Sequence, residues 1–159
     1  AEAARGADAV VLAVPWGAAE GAVKGLGPLA GKLLLDATNP LAMGPQGLGL
    51  AVGHTDSAGE RVAAWAPGAS VFKTLNTVGA EVMADPSGFP VPPVMFVAGD
   101  DTARKPEVLG LIGDLGFQAV DAGPLRNARL LEAHAMLWID LALQRGQGRS
   151  WAFGMLRRG

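Results

Sequence analysis

The chain contains no cysteine. Disulfides and thiolate metal sites are therefore excluded, and the absence fits a reducing compartment, so a cytoplasmic location is expected. Histidine is nearly as scarce: His54 and His134 are the only two, which excludes a histidine-rich metal centre, and no metal is expected. Charge is sparse and balanced, with 13 Lys and Arg against 15 Asp and Glu for a net charge of −2. Without a basic stripe to track phosphates, nucleic acid is not an expected partner. No apolar run approaches the ~18 residues that span a bilayer, and the run near the start is too short for a secretory h-region. No membrane association is expected. An acid–base constellation is missing too: nothing places Ser, His and Asp as a triad, and there is no G-x-S-x-G elbow.

What is present is a core. Half of the 159 residues are hydrophobic and 18% are charged, enough for one ordinary domain and unlike a disordered chain. Short apolar runs alternate with helical patterns. Val10–Val14 ends at Pro15–Trp16–Gly17, Lys32–Thr38 ends at Asn39–Pro40, and Ser70–Leu75 ends at Asn76–Thr77. Val94–Ala98 turns at Gly99–Asp100–Asp101, and Phe117–Asp121 is a fifth run. Unbroken apolar strands of this kind are buried on both faces of a parallel sheet.

Helices are expected over Ala18–Val23, Ala80–Ala84 and a segment carrying Val108, Leu111, Ile112 and Leu115, which Pro106 starts late. Ser57–Ala58–Gly59–Glu60 reads as a capping box opening a helix through Val62 and Trp65 that Pro67–Gly68 ends. A longer helix runs from Leu125 to about Gln144, with Leu130, His134, Leu137 and Leu141 on one face. Residues 41–56 are glycine-rich without period and are expected to be a long loop; the tail Ser150–Arg158 is expected to be helical. The Pro/Gly loop at 85–93 is the one segment that looks like a subdomain seam. The architecture is an α/β open parallel sheet.

In such sheets ligands sit beyond the carboxyl ends of the strands, so the candidate site residues are those that follow each run. Asn offers donors and an acceptor to ribose or carboxamide groups, whereas Pro and Trp offer flat apolar walls; the plain alternative is turn chemistry. Gly25–Leu26–Gly27–Pro28–Leu29–Ala30 satisfies G-x-G-x-x-G/A, but a helix precedes it and a strand follows. The phosphate-binding fingerprint needs the opposite order, so this match is rejected. His134 reads as a hydrogen-bonded core or interface histidine, Asp36 as a core polar residue, and Asp100 and Asp101 as caps of the next helix.

The ordered set VVLAVPW, LLLDATNPL, GERVAAWAPGASVFKTLNTVGAEVM, PVMFVAGDD and LGFQAVDAGPLRNARLLEAHAMLWI resembles the NADPH:coenzyme F-420 oxidoreductase family, also called F-420-dependent NADP reductases, over almost the whole chain. The resemblance implies a Rossmann-like domain over 1–123, a C-terminal helical segment over 124–159 and a homodimer. It also implies hydride transfer between NADPH and a deazaflavin (coenzyme F-420) or flavin-like small-molecule acceptor, with no catalytic acid or base. By position, Val14, Pro15 and Trp16 would line the nicotinamide side of the crevice, and Asn39 and Pro40 would flank the dinucleotide. Asn76, Thr77, Val78 and Ala80 would lie where the two rings meet, with the Ala80 N–H on the carboxamide.

Members of that family begin with a strand, a glycine-rich turn, a helix and a second strand carrying the 2′-phosphate-binding residues. None of these is read here, so the sheet is expected to lack its first βαβ unit, about 60 residues. Its inner edge would then be unpaired, an aggregation hazard. Two alternatives share these features: a non-enzymatic truncated remnant or binding module, and a ferric or flavin reductase of the same fold.

Overall fold

Three consecutive leucines can be buried together only in a strand covered on both faces. Leu33–Asp36 is that strand, and all four of its residues are buried. A computed structural model describes residues 2–158. Within it a short helix, α1 (Glu2–Arg5), precedes β1 (Ala9–Leu12), α2 (Trp16–Gly25) and the leucine strand β2 (Leu33–Asp36). Next come β3 (Leu41–Gly44), β4 (Gly47–Leu50), α3 (Ala58–Trp65), β5 (Ser70–Lys73) and α4 (Ala80–Ala84). The chain continues through β6 (Val94–Gly99), α5 (Lys105–Asp114), β7 (Gln118–Asp121) and α6 (Ala128–Ile139).

The main sheet has the order β1-β2-β5-β6-β7. Leu34 faces a core with Leu12, Val23, Val62 and Val71 beneath α2 and α3. Leu33 and Leu35 face the opposite core with Phe72, Met95, Val108 and Ile112 beneath α5. Strands β1, β2 and β5 run parallel in register, and so do β6 and β7. The two groups meet in an antiparallel step, Phe72 opposite Gly99 and Lys73 opposite Ala98, so the sheet is mixed rather than wholly parallel. That step depends on Gly99, because a Cβ there would overlap the Phe72 ring. Among the described residues, no helix is long and apolar enough to cross a membrane.

Several expectations need correction. Strand β1 is not buried on both faces: it has one neighbour among the described residues, and Val11 is 53% exposed. Ala13 and Val14 have already left it. Residues 41–56 are not all loop, since β3 and β4 form an antiparallel hairpin, Leu41 opposite Leu50 and Met43 opposite Leu48. Gly47, with φ of 101°, supplies its left-handed turn, and the glycines had masked the alternation of Leu and Met. The tail after Ser150 is not helical; its Phe153 carbonyl accepts from the Val94 N–H at 2.9 Å, at the start of β6.

The long C-terminal helix is a 3₁₀ turn, Leu125–Asn127, then α6, then a π-helical turn, Asp140–Gln144. Its buried face is Leu131, Glu132, Ala135, Trp138 and Ile139. Leu130 and Leu137, expected inside, are 67% and 51% exposed. The inward stripe is rotated by one residue because a buried glutamate sits in it, a position that apolar periodicity scores against. In α5, Val108 and Ile112 are buried as expected, whereas Leu111 and Leu115 are exposed.

The capping box forms by half: Ser57 Oγ accepts from the Glu60 N–H at 3.1 Å. The Glu60 carboxylate does not return to the Ser57 N–H, which donates to Asp56 Oδ1. It takes the Ser57 hydroxyl and the Arg129 guanidinium instead, and that guanidinium holds its carboxyl below the usual range. Asp101 caps the turn before α5 through the N–H groups of Ala103 and Arg104. Asp100 accepts from the Leu125 N–H instead.

Substituting Gly99→Ala is expected to cost about 3 kcal/mol, the upper part of the overpacking range. Urea denaturation should show a lower midpoint at unchanged m-value.

Candidate functional site

Because β1, β2 and β5 are parallel, the segments that follow them emerge on one side of the sheet. They converge on a cleft of about 590 Å³, within the size range of small-molecule sites. Pro15, with φ of −54°, ends the first segment and opens α2 at Trp16 without a side-chain cap. Val14, Pro15 and Trp16 form one wall. Trp16 also stacks on Trp65 of α3, with ring centroids 5.5 Å apart, so it fixes the α2–α3 contact as well as lining the cleft. Ala37, Thr38 and Asn39 line the floor, Val78, Ala80 and Met83 the far wall, and Leu41 reaches in from the hairpin.

Of the nine residues expected at the site, Val14, Pro15, Trp16, Asn39, Val78 and Ala80 line the cleft. The other three do not. Pro40 is buried, and its carbonyl accepts from the Ala51 N–H, anchoring the hairpin. Thr77 is 2% exposed, with Oγ1 3.6 Å from Met95 Sδ. Asn76 is buried and joined to its counterpart Asn39. Asn39 Nδ2 donates to the Asn76 carbonyl at 2.9 Å, and Asn76 Nδ2 donates to Asn39 Oδ1 at 3.1 Å and to the Leu131 carbonyl at 3.3 Å. The two strand-ending asparagines therefore tie the β2 and β5 loops to each other and to α6.

Beneath the floor lies a charged network of which sequence reasoning anticipated only Asp36, as a core polar residue. Lys73, Asp36 and Glu132 are all at most 1% exposed. Lys73 Nζ donates to Asp36 Oδ2 at 2.9 Å and to the Thr38 carbonyl at 2.5 Å, and it lies 3.0 Å from Glu132 Oε1. Asp36 Oδ1 accepts from the N–H and the hydroxyl of Thr38. The Glu132 carboxylate accepts from the N–H groups of Ala58 and Gly59, at 2.9 and 3.0 Å. These belong to the first turn of α3, which favours negative charge. A Cβ on Gly59 would stand 2.9 Å from the Ala128 Cβ, so glycine is what lets α3 approach α6 this closely. Burial pushes the Glu132 carboxyl up, against the pull of Lys73 and the two N–H groups. The signal was available: a lysine inside the apolar run SVFKTL and a glutamate inside ARLLEAHA.

Leu75 lines the cleft with φ of 60°. The left-handed region costs a side-chain-bearing residue roughly 1–2 kcal/mol. His134 does not line the cleft. It sits between Phe96 and Phe153, with centroids 5.6 and 4.2 Å away. Its Nε2 is buried without a hydrogen-bond partner among the described residues, so the expected hydrogen-bonded histidine is an aromatic-sandwiched one, and burial lowers its pKa. The loop after Gly25 joins α2 to β2, with Gly27 at φ of 80°, a helix-to-strand order that the phosphate-binding fingerprint does not have.

None of the cleft-lining residues carries an ionisable side chain. The walls suit a planar apolar ring with a few polar edges. Among the described residues no glycine-rich strand-to-helix turn adjoins the cleft to take phosphates.

This arrangement defines a Rossmann-like domain with an apolar cleft at the carboxyl ends of parallel strands. A family model described as NADP oxidoreductase, coenzyme F-420-dependent, matches residues 1–40. The F-420-dependent NADP reductase of Methanothermobacter marburgensis is 34% identical over 91% of this chain and 66% of its own length. The chain thus spans just under two thirds of that curated relative. A crystal structure of a candidate F-420-dependent NADP-reductase from Arthrobacter sp. FB24 superposes with a TM-score of 0.89 at 36% identity, covering 98% of this chain and 72% of its own. A hypothetical protein from Sinorhizobium meliloti superposes at 0.71 with 29% identity, over 99% of this chain and 70% of its own. The chain belongs to the F-420-dependent NADP reductase family.

Replacing Glu132 with Ala would leave Lys73 and two N–H groups short of an acceptor and is expected to cost about 3–5 kcal/mol. Because the folded-state pKa of Glu132 is raised, the folded protein binds more protons than the unfolded chain above the ordinary Glu value of 4.5. Stability from this group therefore falls as pH rises through that window. Denaturation across the window should show this slope in the native protein and its loss in Glu132→Gln.

Proposed function

We propose that the protein transfers a hydride between NADPH and a deazaflavin (coenzyme F-420) or flavin-like acceptor, with both rings seated in the cleft between α2 and α4. One observation carries the reading: the cleft is ring-sized and its walls hold no ionisable group. Hydride transfer needs no protein acid or base; the bound cofactor supplies the reducing equivalents and the protein supplies orientation and exclusion of water. The family and its Methanothermobacter marburgensis relative, both named for NADP, support NADP as one partner.

In this reading Val14, Pro15 and Trp16 back the nicotinamide, and Val78 meets it from the far wall. The Ala80 N–H, first of α4 and without an intrahelical acceptor, serves the carboxamide. Asn39 offers its remaining polar capacity to the dinucleotide, and Pro40, Asn76 and Thr77 support the loops that carry the lining residues. Residues 1–123 act as the dinucleotide-binding part and 124–159 as a C-terminal segment, helical over Leu125–Gln144, in a cytoplasmic protein.

A homodimer is part of the same proposal. Leu130 and Leu137, seven residues apart, leave an apolar stripe on the outer face of α6, and an isologous contact would cover it twice.

The deciding assay uses the full gene product with NADPH deuterated at the transferred position, offered coenzyme F-420, a flavin and ferric iron in turn. Deuterium recovered in reduced deazaflavin or flavin is the expected result. Turnover with ferric iron alone, or with nothing, would sink the proposal. Trp16→Ala is expected to raise KM for NADPH and to lose the Trp16–Trp65 stack, about 1 kcal/mol. For the dimer, Leu137→Glu should halve the mass seen by sedimentation without lowering the melting temperature.

A further inference from the structure

Strand alternation would put Leu75 on the α3 side of the sheet with Val71 and Lys73. It lies on the other side: Leu75 packs against the core of Leu35, Phe72 and Val82, whereas Val71 belongs to the core beneath α3. The left-handed backbone at φ of 60° makes this reversal.

A strained residue of this type persists only where its surroundings over-determine it, and both of its flanks are pinned. On one side, Lys73 Nζ is held by Asp36, Glu132 and the Thr38 carbonyl, and the Thr74 N–H donates to the Asp36 carbonyl at 3.1 Å. On the other side, Asn76 is tied to Asn39 and to the Leu131 carbonyl.

We propose that Leu75 is a positioning residue of the cleft: the buried Lys73 network and the asparagine pair lock it in the left-handed conformation, which turns its side chain into the cleft wall to seat the acceptor ring. The proposal rests on the functional reading above for the identity of the ring, but not for the clamp. Backbone strain in a cleft wall is the kind of stored distortion that fixes a side chain to within the tolerance that ring positioning demands.

The test compares Leu75→Ala, Leu75→Gly and Leu75→Met in the full gene product. In an ordinary backbone alanine is more stable than glycine, whereas in a left-handed one the order reverses, so the Gly variant is expected to melt at or above the Ala variant. The opposite order overturns the clamp. With NADPH and a flavin acceptor, Ala and Gly should each lower kcat about tenfold with KM for NADPH nearly unchanged, and Met should restore kcat. Unchanged kcat in the Ala variant overturns the positioning role. Riboflavin, titrated by quenching of its fluorescence, reads ring seating apart from turnover and should bind severalfold more weakly to the Ala variant. Native protein that binds riboflavin but oxidises NADPH with neither coenzyme F-420 nor a flavin would overturn the functional reading alone, since the melting order and the titration still decide Leu75. Native protein that neither binds riboflavin nor oxidises NADPH overturns the functional reading and the ring-seating role together, and the melting order alone then decides the clamp.

Discussion

One ammonium group, that of Lys73, lies fully buried between two carboxylates and a carbonyl, and much of the architecture follows from satisfying it. An unpaired charge in such a place would cost several kcal/mol, so Asp36, Thr38 and Glu132 must hold their places whenever the chain is folded. Each comes from a different part of the structure: the end of β2, the loop beyond it and the middle of α6. Glu132 then spends its other lone pairs on the first turn of α3. Four elements are thereby locked to one another at a point directly under the cleft. The set places two carboxyl groups against one ammonium, and the Glu132 carboxyl is also met by the amino end of a helix, where backbone N–H groups favour an anion.

The cleft inherits its rigidity from this floor. Its lining segments are loops, which are usually mobile, yet here those that follow β2 and β5 are tied down by hydrogen bonds. The Thr38 backbone is fixed by Asp36 and Lys73, Asn39 by Asn76, and Asn76 by α6. Hydride transfer tolerates little error in ring placement, so a site with no acid or base would depend on such positioning. The absence of ionisable side chains in the walls and the buried charges beneath them are complementary. Charge sits where it holds structure and stays out of the space where two apolar rings would stack.

Much of this was legible in the residues. LLLD declared a strand covered on both faces, Ser57 declared the start of α3, Pro106 the late start of α5, and six of nine predicted residues line the cleft. The hairpin was hidden because glycine at Gly44, Gly47 and Gly49 dilutes the alternating Leu and Met signal. Helix α6 was read with the wrong face inward because Glu132 is buried and Leu130 is not, the reverse of what hydrophobicity alone weighs. Pro40, Asn76 and Thr77 were placed at the right strand ends but point into the protein, a choice that one strand's sequence does not contain.

By itself, then, the sequence determined the alternation of strands and helices, the side of the sheet on which ligands would gather, and the apolar character of that place. These are local properties, carried by period, by turn chemistry and by residue type. Only the tertiary structure decided that Lys73, Asp36 and Glu132 meet, that Asn39 pairs with Asn76, that β6 runs against β5, and that Leu75 turns over in its strained backbone. Each joins groups distant in the chain or depends on their joining. The free energy that holds them, desolvation of a charge or strain in one dihedral, exists only once several elements have closed around the same few atoms.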